Sequence, residues 1–149
     1  MVGGLLVIVT AMVALPGCQS SKQPGSSSLA AVIVPCNNSN AIYEATLTVF
    51  QGSGWTLSEP DRDTILFHRE GTKRDNRLYG NWGEPVWLWA EVRIQPYGTI
   101  YLLRCDSYVV RHPSEGLGMD NTKMRGRFSA GPYKDMLERV KKKVGPKPG

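Results

Sequence analysis

Few side chains in this sequence are suited to chemistry. The soft metal ligands and thiol nucleophiles are Cys36, His68, Cys105 and His112, with Cys18 near the N-terminus. A zinc site needs Cys, His or carboxylate ligands clustered at short spacing. These residues are scattered, so neither a metal nor another cofactor is expected. Asp106, Ser107 and His112 are the nearest approach to an orienting acid, a nucleophile and a base. Asp106 and Ser107, however, are neighbours in an alternating segment and therefore point to opposite sides of it. Asp61 and Asp63 flank Arg62 in a turn, where Asx turns and surface ion pairs are the usual outcome. No G-x-S-x-G elbow, Walker-type loop or dinucleotide glycine pattern occurs. The expectation is a protein that is not an enzyme. What remains is aromatic: Trp82, Trp87, Trp89 and Tyr108. Rings bordered by charges offer large contact area at small entropic cost, which suits a partner or glycan surface.

The elements that must position these rings are legible from periodicity. Val86, Leu88, Ala90, Val92 and Ile94 alternate with Trp87, Trp89, Glu91, Arg93 and Gln95, so the segment from Val86 to Gln95 reads as a strand with one aliphatic and one aromatic-charged face. Thr99 to Arg111 answers it across Pro96-Tyr97-Gly98. A two-residue Tyr97-Gly98 turn places Ile94 opposite Tyr101, Val92 opposite Leu103, Ala90 opposite Cys105, Glu91 opposite Arg104 and Trp87 opposite Tyr108. A slip of one residue would bury Arg104 and Asp106 under the aliphatic face, at high cost. Cys105 is therefore expected inward and the tryptophans outward.

Asn37 to Asn40 offer caps for a helix over Ala41 to Gln51, ended by Gly52-Ser53-Gly54. Trp55 to Leu57 and Thr64 to Arg69 read as extended, and Glu70 to Pro85 as a long polar loop. Leu29 to Val34 reads as an edge strand stopped by Pro35, and Lys123 to Phe128 as a short strand. Pro132 is placed at the first turn of a last helix, carried by Tyr133, Met136, Leu137, Val140 and Val144 and closed by Gly145-Pro146. The expected class is α+β, an antiparallel sheet of about four strands with two helices on its aliphatic face, forming a single domain over residues 29–149.

Upstream, Val2 to Leu15 is almost continuously apolar, yet too short to span a bilayer as a helix, which takes roughly 20 residues. It runs into Leu15-Pro16-Gly17-Cys18 and then the polar stretch from Gln19 to Ser28. Leu three residues before a Cys, with a small residue directly before that Cys, resembles the signal peptide of bacterial lipoproteins. That resemblance implies removal of residues 1–17, lipid (palmitate-type acyl chains) on Cys18, and residues 18–28 as a flexible tether. It implies a mature protein bound to a membrane of the cell envelope. Gln19, where Asp would favour the inner membrane, implies the outer membrane and the periplasm.

The element order is similar to that of small outer-membrane assembly lipoproteins in which two helices cover one side of a sheet. With Cys18 lipidated, Cys36 and Cys105 remain in an oxidising compartment as a candidate disulfide; free, buried thiols are the alternative. The formal charge is +5. Lys141, Lys142 and Lys143 complement the dipole of the last helix. Nucleic acid is not an expected partner for an exported, anchored protein. The sequence thus points to a non-catalytic envelope lipoprotein that binds another envelope protein or polymer. A small carbohydrate-binding module using the aromatic face and a hydrolase with an unrecognised site are the alternatives.

Overall fold

A glycine in the left-handed region sets the centre of the sheet. Gly98 has φ +63 and opens the two-residue connection Gly98–Thr99 between β4 (Trp87–Tyr97) and β5 (Ile100–Val110). Side chains with a Cβ adopt that conformation only at a cost. Tyr97 therefore joins the ladder opposite Ile100, and the partners differ by two residues from those predicted. Val92 faces Cys105, Ile94 faces Leu103, Ala90 faces Ser107, Glu91 faces Asp106, Arg93 faces Arg104, Trp89 faces Tyr108 and Trp87 faces Val110. A displacement of two preserves the alternation, so both faces are as expected although every pair is changed.

The structure is a computed structural model and describes residues 28–80, 85–111, 121–124 and 127–145. Within these residues the chain adds β1 (Ala30–Val34), α1 (Ser39–Gln51), β2 (Thr56–Pro60), β3 (Thr64–Glu70), α2 (Lys73–Tyr79), β6 (Asn121–Lys123) and α3 (Arg127–Val144). The fold class is α+β. The sheet runs β1-β5-β4-β3-β2 with every neighbouring pair antiparallel, and β6 also pairs with β5. Among the described residues there are six strands and three helices, roughly as expected, with β6 and α2 in addition.

One face of the sheet is apolar and carries α1 and α3. Val32, Val34, Ile65, Phe67, Leu88, Val92 and Leu103 bury against Ile42, Val49 and Phe50 of α1 and Leu137 and Val140 of α3. Phe50 stacks on Phe67 with centroids 4.6 Å apart. α1 starts where the asparagines predict, with Asn38 Oδ1 accepting from the Ala41 N–H at 3.2 Å. α3 starts earlier than predicted. Pro132 lies inside it, where its ring removes one intrahelical hydrogen bond rather than opening the first turn. The short strand predicted over Lys123 to Phe128 is instead β6, and residues 127 and 128 already belong to α3.

The predicted loop from Glu70 to Pro85 contains α2, held by a capping box. The Thr72 side chain accepts from the Asp75 N–H, and Asp75 Oδ2 accepts from the Thr72 N–H at 2.8 Å. The helix is latched to the sheet. The Gly71 N–H donates to the Val86 carbonyl at 2.8 Å, and Asn76 Oδ1 accepts from the Val86 N–H at 2.9 Å. A Cβ at Gly71 would stand 2.8 Å from that same carbonyl oxygen, so this approach admits only glycine.

The candidate Cys36–Cys105 disulfide is corrected. Both thiols are free. Ala30 is opposite Cys105 and Val34 is opposite Tyr101. The four residue steps from Ala30 to Val34 span about 13 Å, and Cys36 lies beyond Val34. Disulfides require Cα atoms within about 7 Å.

β1 and β6 share one edge of β5, and Asp106 occupies the gap between them. It is 5% exposed. Its Oδ1 accepts from the Leu29 N–H at 3.0 Å and pairs with Lys123 Nζ at 3.0 Å. Replacing Asp106 by Ala strands a part-buried N–H and a half-buried ammonium group. Urea unfolding is expected to show a loss of about 3 kcal/mol for Asp106→Ala and a smaller loss for Asp106→Asn, which retains an acceptor. Equal stability of wild type and Asp106→Ala would refute that role.

Candidate functional site

Three of the four aromatic residues singled out in the sequence lie among the described residues and share one sheet face. Trp87, Trp89 and Tyr108 sit on the sheet face away from α1 and α3, each half-buried. Trp89 lies directly opposite Tyr108, whereas Trp87 lies opposite Val110. Trp82 lies outside the described residues, as do Cys18 and His112. The ring that joins the cluster is His68 on β3, whose centroid is 5.7 Å from Trp87 and 5.4 Å from Trp89. His68 Nδ1 and Trp89 Nε1 are both buried without a hydrogen-bond partner among the described residues. Burial, then the neighbouring Glu91 carboxylate, push the Tyr108 hydroxyl above its ordinary range. Glu91 itself pairs with Arg93. The result is an aromatic strip bordered by charge, on a sheet face that also carries Ile33, Leu66, Leu102 and Val110.

A second feature was not read from the sequence. On the helix side, α2 stands off the sheet and leaves a cleft of about 550 Å³. Its apolar surface is made by Trp55, Leu88, Met124, Tyr133 and Met136, and the exposed Leu78 stands at its rim. Among the described residues, its charged groups are Arg69, Arg74 and Asp75. The Arg69 guanidinium lies 5.0 Å from the Trp55 ring centroid, a cation–π contact, and its Nη2 is 3.3 Å from Asp75 Oδ2. Asp75 Oδ2 also accepts the Thr72 hydroxyl at 2.8 Å. The far wall is tied by the Tyr79 and Ser129 hydroxyls, 3.5 Å apart. The legible signal was Thr72-x-x-Asp75, which marks a helix start within the supposed loop. Nothing in the sequence pairs Arg69 with Trp55.

Ser107 and Asp106 diverge as predicted and form no shared site. Asp106 is committed to the sheet edge, while Ser107 points into the core. Its Oγ lies 2.7 Å from the Tyr133 hydroxyl and 2.9 Å from the Trp89 carbonyl oxygen. Burial pushes the Cys105 thiol far above its ordinary value, then Asp106 and Glu91 add to the shift, so it carries no thiolate character. Burial likewise raises Tyr133, with the Ser107 contact opposing. Among the described residues, no group of three or more His, Cys, Asp or Glu side chains converges to hold a metal ion. No protein-family model matches this sequence, and no curated protein matches it.

The raised Cys105 and Tyr133 determine an alkaline limit, to which the raised Tyr108 hydroxyl adds in the same direction. An unfolded chain ionises the thiol near 9.0 and the phenol near 10.0, whereas the folded chain keeps both protons. Unfolding then releases protons, so stability is full below the thiol value and falls as pH rises above it. The slope approaches about 1.4 kcal/mol per pH unit for each group. Urea midpoints measured from pH 8 upward are expected to fall on this course, and Cys105→Ala is expected to shift the onset toward the tyrosine range. A flat profile would refute the assignment.

Proposed function

We propose that the chain is a lipid-anchored, non-catalytic binding module of the cell envelope. It is tethered through Cys18 to the outer membrane on its periplasmic side and presents the Trp87/Trp89/Tyr108 face to another envelope component. The Leu15-Pro16-Gly17-Cys18 pattern supports the anchor. Among the described residues no helix is long and apolar enough to cross a membrane.

The observation that carries the reading is the point where the chain enters the fold. Ser28 Oγ accepts from Arg104 Nε at 2.8 Å, and the Leu29 N–H donates to Asp106. Arg104 and Asp106 both project from the aromatic side of β5. Ser28 is ten residues on from Cys18. Ten residues of chain reach at most about 35 Å. A lipid on Cys18 therefore keeps the aromatic face within one domain's width of the bilayer.

Cells fed an alkyne-bearing palmitate analogue are expected to label the wild-type chain and not Cys18→Ala. Equal labelling of the two would remove the anchor. A photo-crosslinking residue at position 87 is expected to trap an envelope component that the same residue at the exposed position 62 does not. Identical products at both positions would remove the binding face.

A further inference from the structure

The cleft under α2 plays no part in tethering or in the aromatic face, and its chemistry specifies a ligand of its own. Its volume, about 550 Å³, falls in the range of small-molecule sites. Its base is apolar and largely sealed from water, with Leu88 at 1% and Tyr133 at 4% exposure. Among the described residues, two guanidinium groups face it against a single carboxylate. That carboxylate is occupied, because one oxygen of Asp75 serves the Thr72 N–H, the Thr72 hydroxyl and Arg69.

Arg69 is held in place by the Trp55 ring beneath it and by Asp75 beside it. Its two hydrogen bonds, to the Glu70 carbonyl and to Asp75, measure 3.4 and 3.3 Å. Such long contacts leave donor capacity for a better acceptor. Arg74 is exposed and makes no ion pair among the described residues. A cationic ligand finds nothing here, since the Trp55 face is already taken by Arg69. An inorganic anion would leave the apolar base unused.

We propose that this cleft binds a small amphiphile, an apolar body carrying one carboxylate or phosphate, with the body on Met124, Tyr133 and Met136 and the anion on Arg69 and Arg74. The site stands independently of the lipid anchor. A chain that fails to acquire lipid on Cys18 retains the cleft, and an empty cleft leaves the labelling result untouched.

The test is calorimetric titration of the full chain in a mild non-ionic detergent. The probes are biphenyl-4-carboxylate, biphenyl-4-yl phosphate, the neutral biphenyl-4-carboxamide, the cationic biphenyl-4-ylmethylamine and inorganic phosphate. At least one of the two anionic biphenyls is expected to bind at one per chain, at least tenfold more tightly than the amide or amine and than inorganic phosphate. Comparison of the two anionic biphenyls decides between a carboxylate and a phosphate head. Arg74→Gln lies on the surface and leaves the fold intact; it is expected to weaken the anionic probe at least fivefold. Met136→Trp fills the cleft and is expected to abolish binding in the same micelles. Loss of discrimination among the probes, tighter binding of inorganic phosphate, or unchanged affinity in Arg74→Gln would each overturn the proposal.

Discussion

The outer edge of β5 is claimed by two separate strands, and the buried carboxylate of Asp106 closes the gap between them. It takes the Leu29 N–H at the start of β1 and the Lys123 ammonium at the end of β6. Both are charge-assisted contacts on a group nearly sealed from water, where an unmet charge is costly. Much follows from that junction. It pins the chain where Leu29 enters the sheet. It also seats β6, after which the Met124 N–H reaches the Ser107 carbonyl at 2.8 Å. Met124 then lies beside Tyr133 and contributes to the base of the cleft.

The two faces of the sheet answer to different demands. The face under α1 and α3 is apolar and closes around Phe50, Phe67 and Leu137. The few polar groups it admits, such as Ser107 and Tyr133, satisfy one another. The opposite face keeps water within reach of its rings and, among the described residues, leaves two ring nitrogens unmet beneath them. Unmet buried donors and acceptors cost stability, and their concentration on this face, rather than in the core, sets the aromatic strip apart from ordinary packing.

Where periodicity governed, the sequence was readable. The alternation of residues 86–95 gave both faces of β4, Asn38 gave the start of α1, and Leu29 to Val34 gave the edge strand. The exact partners across the hairpin were not readable. Turns beginning at Tyr97 or at Gly98 produce the same alternation, and only the glycine's positive φ at the first turn position separates them. α2 was passed over because its seven residues bury no apolar stripe. Its cap was in plain view at Thr72 and Asp75. The disulfide failed for a different reason. Compartment and parity favoured it, but distance along a ladder depends on which residues are paired, and that is a tertiary fact.

The order of residues alone determined the α+β class, the inward and outward sets of side chains, and an N-terminal pattern that resembles a lipoprotein signal. These are short-range properties, set by side-chain volume, alternation and capping within a few bonds of each residue. The register of β4 on β5, the freedom of Cys36 and Cys105, the union of β1 and β6 at Asp106, and the cleft where Arg69 lies on Trp55 were decided only by the folded chain. Each joins residues distant in sequence, and their meeting depends on how whole elements pack, which no local pattern encodes.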